Sequence, residues 1–361
     1  MNLLKRYFNN LTVFNFLVTQ VLVHVIFGTS FTNTIFHEFE ISKEVKNFDI
    51  FYSSYNVDTP VFHILGSIIG LEDFRYFAVM VFLVTNIVLY FICYNIAFLD
   101  ENSVVFLFSG WLVTVSWFMG YVDVFTVLLT VLIFKSLFLK HSKKETIFYA
   151  AFLTFNHYGI ALFIILIFLV LIFDTELKKF TKFLVFGYLS GRIILEIYLT
   201  IVNYNGRSRF RFVFNDNVLD QVFYLSSSNS LDLILSGFLG VLVYLIIYIY
   251  YSNSLSKSKI VVSLSIALIG CSLALDTSRV FSMLVLPLNL YLLKNFEKIV
   301  KFENLQLKKF LPFVAFIFMI FIDERHLFGS VFTESPNYEN TISIYSLVTE
   351  FVNNFMKNTW K

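Results

Sequence analysis

Asp276 and Arg279 stand three residues apart in "SLALDTSRVFSMLVLP", residues 272–287, where four polar residues interrupt an apolar stretch. A carboxylate and a guanidinium so spaced can simply pair with each other on a helix face. They can also present a planar, permanently charged fork to a phosphate or carboxylate ligand, which a lysine cannot do bidentately. Other residues offer related chemistry: Asp123 in "GYVD", His157 in "NHYG", and Arg207, Arg209 and Arg211 in "NYNGRSRFRFVFNDN". Residues 31–74 hold Glu38, Glu40, Glu44, Asp49, Asp58, Glu72 and Asp73, together with His37 and His63. An Asp or Glu within hydrogen-bond reach of a hydroxyl can take its proton, a contribution of ~10²–10⁴-fold. Arginine and histidine donors stabilise the charge that develops on a departing anionic group.

Each feature also has an ordinary reading. Asp276 and Arg279 can form a salt bridge at a loop tip, His157 can be a hydrogen-bonded core histidine, and Asp123 can cap the helix that follows. "RSRFR" can be an interfacial anchor with its phenylalanines among lipid headgroups. Cys93 and Cys271 both lie inside apolar runs and read as core packing, neither metal site nor disulfide framework. The chain has no GxGxxG, P-loop or HExxH pattern, and nothing points to nucleic acid, nucleotide or haem. No cofactor is expected, although Asp123, His157 and a first-loop carboxylate could hold a divalent cation; no spacing here is diagnostic.

The elements that must position these groups are membrane spans. Hydrophobic residues make up 58% of the 361 and charged residues 14%, against about 25% charged in a soluble domain; the mean hydropathy is +0.75. Apolar runs of spanning length recur along the whole chain, so the expected fold is all-α, a single polytopic membrane domain. "MNLLKRYFNNLTVFNFLVTQVLVHVIFGTS" carries basic residues before its apolar run and no small-x-small site after it, and reads as an uncleaved first span. Further spans are expected near 75–98, 183–203, 232–251, 260–275, 280–296 and 310–322.

Residues 103–134 and 146–173 are longer than one span needs, and each is broken at its middle by "GYVD" or "NHYG". Each half would be only ~18–25 Å long. Read as two short-helix hairpins, they bring Lys135, Lys140, Lys143, Lys144, Lys178, Lys179, Lys182, Lys257, Lys259, Lys294, Lys298, Lys301, Lys308 and Lys309 to the side of Lys5 and Arg6. Read instead as two single tilted helices, they would move only Lys135, Lys140, Lys143 and Lys144 to the other side. The positive-inside rule favours the hairpins, which give eleven spans, N-terminus cytoplasmic and C-terminus outside, in a plasma or inner membrane. The same topology leaves Arg75, Arg192, Arg207, Arg209, Arg211, Arg279 and Arg325 outside or within spans, on the side that the charge rule disfavours. An anionic ligand would explain them. Residues 31–74 become an acidic first outer loop, and 323–361 an amphipathic outer tail.

This layout resembles the GT-C class of integral-membrane glycosyltransferases, of the type that assembles bacterial envelope polysaccharides. The resemblance runs over residues 30–290. It rests on an acid-bearing first outer loop followed by short paired helices, and on "GYVDVFTVLL", "NHYGIALFIILI", "GRIILEIYLTIVNYNGRSRFR" and "LDTSRVFSMLVLPLNLYLL". The chain departs from some members of that class in lacking a long extracytoplasmic domain and a WWDYG-like motif. The resemblance implies a polyprenyl-phosphate-linked sugar as donor at the outer face, with membrane lipid around it. It also implies a catalytic carboxylate in the first outer loop, where Asp49 or Asp58 is the match and Glu38 and Glu40 are alternatives. Arg279, Arg207, Arg209 and Arg211 would bind the phosphate, with Asp276 part of the same substrate site, while Asp123 and His157 would orient sugar or acceptor. A repeat-unit polymerase of O-antigen type would use the same substrate class. A transporter of lipid-linked sugar predicts charge across the midplane and internal repeats; no clear repeat is present, and midplane charge is nearly confined to Arg192 and Glu196. A non-catalytic assembly subunit would keep the outer polar residues for a protein partner.

Overall fold

A computed structural model describes residues 10–31, 34–48, 50, 55–204, 230–274, 277–300, 305–321, 326–328, 331–333 and 342–343. The helices are α1 (Asn10–Val21), α2 (Thr34–Lys46), α3 (Val61–Ile69), α4 (Phe74–Ile96), α5 (Ser103–Leu107), α6 (Gly110–Trp117), α7 (Asp123–Lys135) and α8 (Lys143–Ile172). They continue as α9 (Thr181–Ile201), α10 (Ser230–Phe238), α11 (Val241–Tyr251), α12 (Ser254–Ser272), α13 (Thr277–Leu284), α14 (Leu286–Ile299) and α15 (Leu305–Phe321). Four stretches are long and apolar enough to cross a membrane: Phe74–Leu107, Lys143–Ile172, Glu176–Ile201 and Ser254–Ser272. A fifth is Leu231–Phe238 with Val241–Tyr251, bent by 108°. The architecture is an all-α bundle with the apolar helices of a membrane protein, and length alone yields four or five spans among the described residues, not eleven.

Contacts between helices show more turns than length does. Helix α8 begins beside α9: the Lys143 ammonium lies 5.6 Å from the Phe183 ring, and Gly187 and Gly191 sit on Ala150 and Ala151. So α9 climbs alongside the first half of α8, and Thr181 is level with Lys143. A straight helix over 143–172 would put Ile172 ~43 Å away. The link back to Thr181 includes a compact 3-10 turn, Glu176–Phe180, and is too short to cover that. The chain must fold back within α8. The residue in α8 with non-helical backbone is His157 (φ −157°, ψ 73°), and the reversal falls there. The descending half then packs on α12, where Gly270 faces Phe163 and the Lys259 amine donates to the Leu171 carbonyl at 3.2 Å.

A second reversal joins α6 to α7. Asn15 reaches Ser103 at 2.9 Å near one end of the bundle, and the Trp117 indole donates to the Phe27 carbonyl at 2.9 Å near the other. Between them the chain turns at Gly120, whose φ of +110° suits a residue without a Cβ. Helix α7 then descends against the first half of α8, tied by Asn156 above and by Ser136 to Thr146 below. These paths gather Lys135, Lys143, Lys259 and Lys294 at one end, where Lys135 donates to Asn95 and Lys294 to the Phe98 carbonyl. The opposite end holds α2, α3, the Gly120 turn, the His157 bend and the start of α13.

Around that end the chain is pinned locally. Asp73 caps α4 by accepting from the Arg75 amide, and Arg75's side-chain hydrogen bonds hold its carboxyl below the usual range. Ser30–Phe31 (β1) pairs antiparallel with Ile342–Ser343 (β4). His326–Phe328 (β2) pairs with Val331–Thr333 (β3), and β2 packs on α13. The described parts of the C-terminal stretch are therefore short strands; the rest of the expected amphipathic tail lies outside the described residues.

The close approach of α8 and α9 depends on glycine. A Cβ on Gly191 would stand 2.2 Å from the Ala151 carbonyl oxygen, a backbone atom that cannot swing away. Gly191→Leu is expected to force the helices apart and cost about 1–3 kcal/mol. The readout is a lower midpoint of thermal unfolding in detergent, with Ser190→Leu on the same helix as the control.

Candidate functional site

The site is built from short elements at the end away from the lysines. Asp123 is the first residue of α7, placed there by the turn at Gly120, so its carboxylate lies at the positive end of the helix dipole. It does not cap the helix: Val122 holds the capping position, with no side-chain cap bond. Arg279 lies in the first turn of α13 and donates from Nη1 to Asp123 Oδ2 at 2.8 Å. The two residues are 156 apart in sequence. Asp123 is 1% and Arg279 9% exposed, so this is a buried pair between helices. Arg279 thus has a long-range partner in Asp123; Asp276, the expected loop-tip partner, lies outside the described residues.

Aromatic faces complete the Arg279 setting. Its guanidinium carbon lies 4.3 Å from the Tyr121 ring centroid and 6.0 Å from that of Phe118, within cation–π reach of Tyr121. The Ser282 hydroxyl bonds the Arg279 carbonyl at 2.8 Å and meets Thr114 of α6 at 2.8 Å, fixing α13 against α6. Ionisable groups at such positions are expensive to bury without partners, and the pairing offsets part of that cost.

The bend in α8 abuts the same turn. Asn156 donates to the Val122 carbonyl and to Thr126 Oγ1, both at 3.3 Å, which places His157 next to the start of α7. His157 is 5% exposed and supplies the bend itself, so it is more than a core residue inside a regular helix.

The first loop is seated over this turn. Ile35 of α2 packs on Gly120, and the Phe62 ring of α3 lies 5.5 Å from Phe125 of α7. Glu38 of α2 and His63 of α3 are in direct contact, both fully buried, and join the two helices. Glu40 is instead exposed and paired with Lys43. Between α2 and α3, the 3-10 turn Tyr55–Asp58 packs on α8 and α9. Val57 of that turn shares a small core with Ile41, Val45, Ile50 and Val202, and Tyr198 lies against it. That core carries Asp58, partly exposed, to the same end of the bundle as Asp123, His157 and Arg279.

Four of the expected groups, Asp58, Asp123, His157 and Arg279, thus share one end, and two of them touch. Asp49, Arg207, Arg209 and Arg211 lie outside the described residues. The Glu38–His63 pair and the Tyr121 platform carry no spacing signal, although both histidine and glutamate stand out in an acidic loop. Among the described residues no group of three or more His, Cys, Asp or Glu is arranged to hold a metal ion. No family model, curated protein or solved structure matches the chain.

Proposed function

We propose that this protein is a membrane glycosyltransferase that uses a polyprenyl-phosphate-linked sugar at the outer face of a plasma or inner membrane. The observation that carries the reading is the buried Arg279–Asp123 pair beside the His157 bend, beneath an acid-bearing first loop and away from the lysine-rich end. The proposed topology has eleven passes, with the N-terminus cytoplasmic and the C-terminus outside; the reversals at Gly120 and His157 and the one-sided lysines support it.

In the proposed reaction a first-loop carboxylate, Asp58 or Asp49, takes the proton of the acceptor hydroxyl. The acceptor oxygen attacks the anomeric carbon, the bond from that carbon to the phosphate oxygen breaks, and the lipid phosphate leaves with the electron pair. Arg279, with Arg207, Arg209 and Arg211, binds that phosphate as its charge grows. Asp123 holds the Arg279 fork in place, with Asp276 beside it in the sequence, and His157 orients sugar or acceptor. A base on one wall and the guanidinium on another favour displacement with inversion at the anomeric carbon.

Asp58→Asn tests the base. Membranes containing the variant are expected to transfer radiolabelled sugar from a polyprenyl-phosphate donor ~10²–10⁴-fold more slowly than wild type, at equal protein level. Transfer at the wild-type rate assigns the proton to another carboxylate. Absence of transfer by the wild-type protein, across a panel of polyprenyl-phosphate sugars, would sink the reading.

A further inference from the structure

Helix α9 lies on the outside of the bundle. Its free face carries Phe186, Leu189, Ile193, Ile197 and Ile201, each more than half exposed. In the middle of this apolar face sits an ion pair, Arg192 with Glu196, one helical turn apart and with side chains 36% and 54% exposed. Arg192 is eleven residues from Thr181 and nine from Ile201, or ~16 and ~14 Å along the axis. That is the midpoint of a candidate span. Charged groups there normally face a bundle interior or a water-filled cavity, because hydrocarbon solvates them poorly. Here they lie on the outward side of the helix, and the Tyr158 ring backs Arg192 on its inner side, 4.4 Å away.

The pair's chemistry narrows what can cover it. An anionic lipid headgroup would gain Arg192 but meet Glu196 four residues on, so the site as a whole does not attract an anion. A net-neutral pair with one charge of each sign is instead complementary to itself. A groove of about 360 Å³ runs along it, lined by Arg192, Ile193, Glu196, Ile197, Thr200 and Ile201. The six described lining residues belong to one helix, and a second helix laid along it would complete the groove.

We propose that a second copy of this chain packs on this face, α9 against α9, in a two-fold dimer. In a two-fold interface the same patch serves both chains, so Arg192 reaches the partner's Glu196 and Glu196 reaches the partner's Arg192. The isoleucines at 193, 197 and 201 form the ridge that interdigitates on either side of the four charges. The inference goes beyond glycosyl transfer and does not depend on it.

The test uses the full chain in native membranes, with two differently tagged copies expressed together and captured into nanodiscs. Arg192→Glu in both copies is expected to lower co-purification about tenfold through like-charge repulsion, and Glu196→Arg in both to do the same. Arg192→Glu in one copy with Glu196→Arg in the other is expected to restore wild-type co-purification, although neither copy then keeps its own internal pair. Ile197→Cys should give an oxidised species of twice the chain mass, whereas Leu83→Cys on the exposed face of α4 should not. The proposal is overturned if the mixed pair associates no better than either variant alone. It is equally overturned if wild type is monomeric in nanodiscs, with or without a retained anionic lipid in its native mass spectrum.

Discussion

Arg279→Met is expected to destabilise the protein by about 3–5 kcal/mol, because it leaves the Asp123 carboxylate buried without its guanidinium. Asp123 is 1% exposed, so water cannot easily replace the lost partner. The double variant Asp123→Leu with Arg279→Met removes both charges, and is expected to recover most of that stability while making the region apolar. Sugar transfer should be lost in both variants, since neither can present a guanidinium to the lipid phosphate. Thermal unfolding in detergent, read beside transfer, separates the roles. If the double variant regained both stability and transfer, the pair would be a structural tie and nothing more. If Arg279→Met unfolded at the wild-type temperature, the pair would not be buried as described.

The second large effect is expected at the contact between Glu38 and His63. Both side chains are fully buried and come from different helices of the first loop. His63→Ala should cost about 3–5 kcal/mol, by leaving a buried carboxylate and a cavity where the imidazole stood. Glu38→Gln keeps the shape and a hydrogen-bonding group, and should cost about 1–3 kcal/mol. The loss should be local, because the pair holds α2 to α3 and through them the Asp58 turn. Hydrogen exchange over residues 34–69 is the measurement. Faster exchange there than in α4 or α7 is the expected result; uniform acceleration would mean that the first loop is not a separately held unit.

How much of this was legible in the sequence depends on the range of each interaction. The apolar runs announce membrane helices by composition alone. The polar breaks in "GYVD" and "NHYG" mark places where a helix pair can turn, and the lysines on either side favour the doubled path. Gly120 makes one turn by its positive φ, a local property. The bend at His157 has no such cause, since histidine is not a helix breaker, and Asn156's bonds to Val122 and Thr126 come from another helix. The same distinction governs Arg279. Asp276 at i−3 is legible as a partner from spacing alone, but the bond to Asp123 spans 156 residues and appears only once α7 and α13 are side by side. Glu38 and His63 were visible as residues of an acidic loop, but their contact requires α2 and α3 to pack. In each case sequence pattern supplies the residue type, and tertiary packing decides which opposite charge it meets.

The doubled path of α8 also bears on how this chain enters a membrane. Lys143 and Lys144 begin it, Lys178 and Lys179 stand in the turn that follows it, and both ends lie on the same side of the bundle. The stretch between them therefore need not be threaded end first. It can go in as a loop with Asn156 and His157 leading, so that no lysine is dragged through hydrocarbon. Each arm is ~21–23 Å long, shorter than the hydrocarbon is thick, and leaves its tip short of the far surface. Such a route delivers both arms together, and the polar tip meets its partners Val122 and Thr126 where α7 begins.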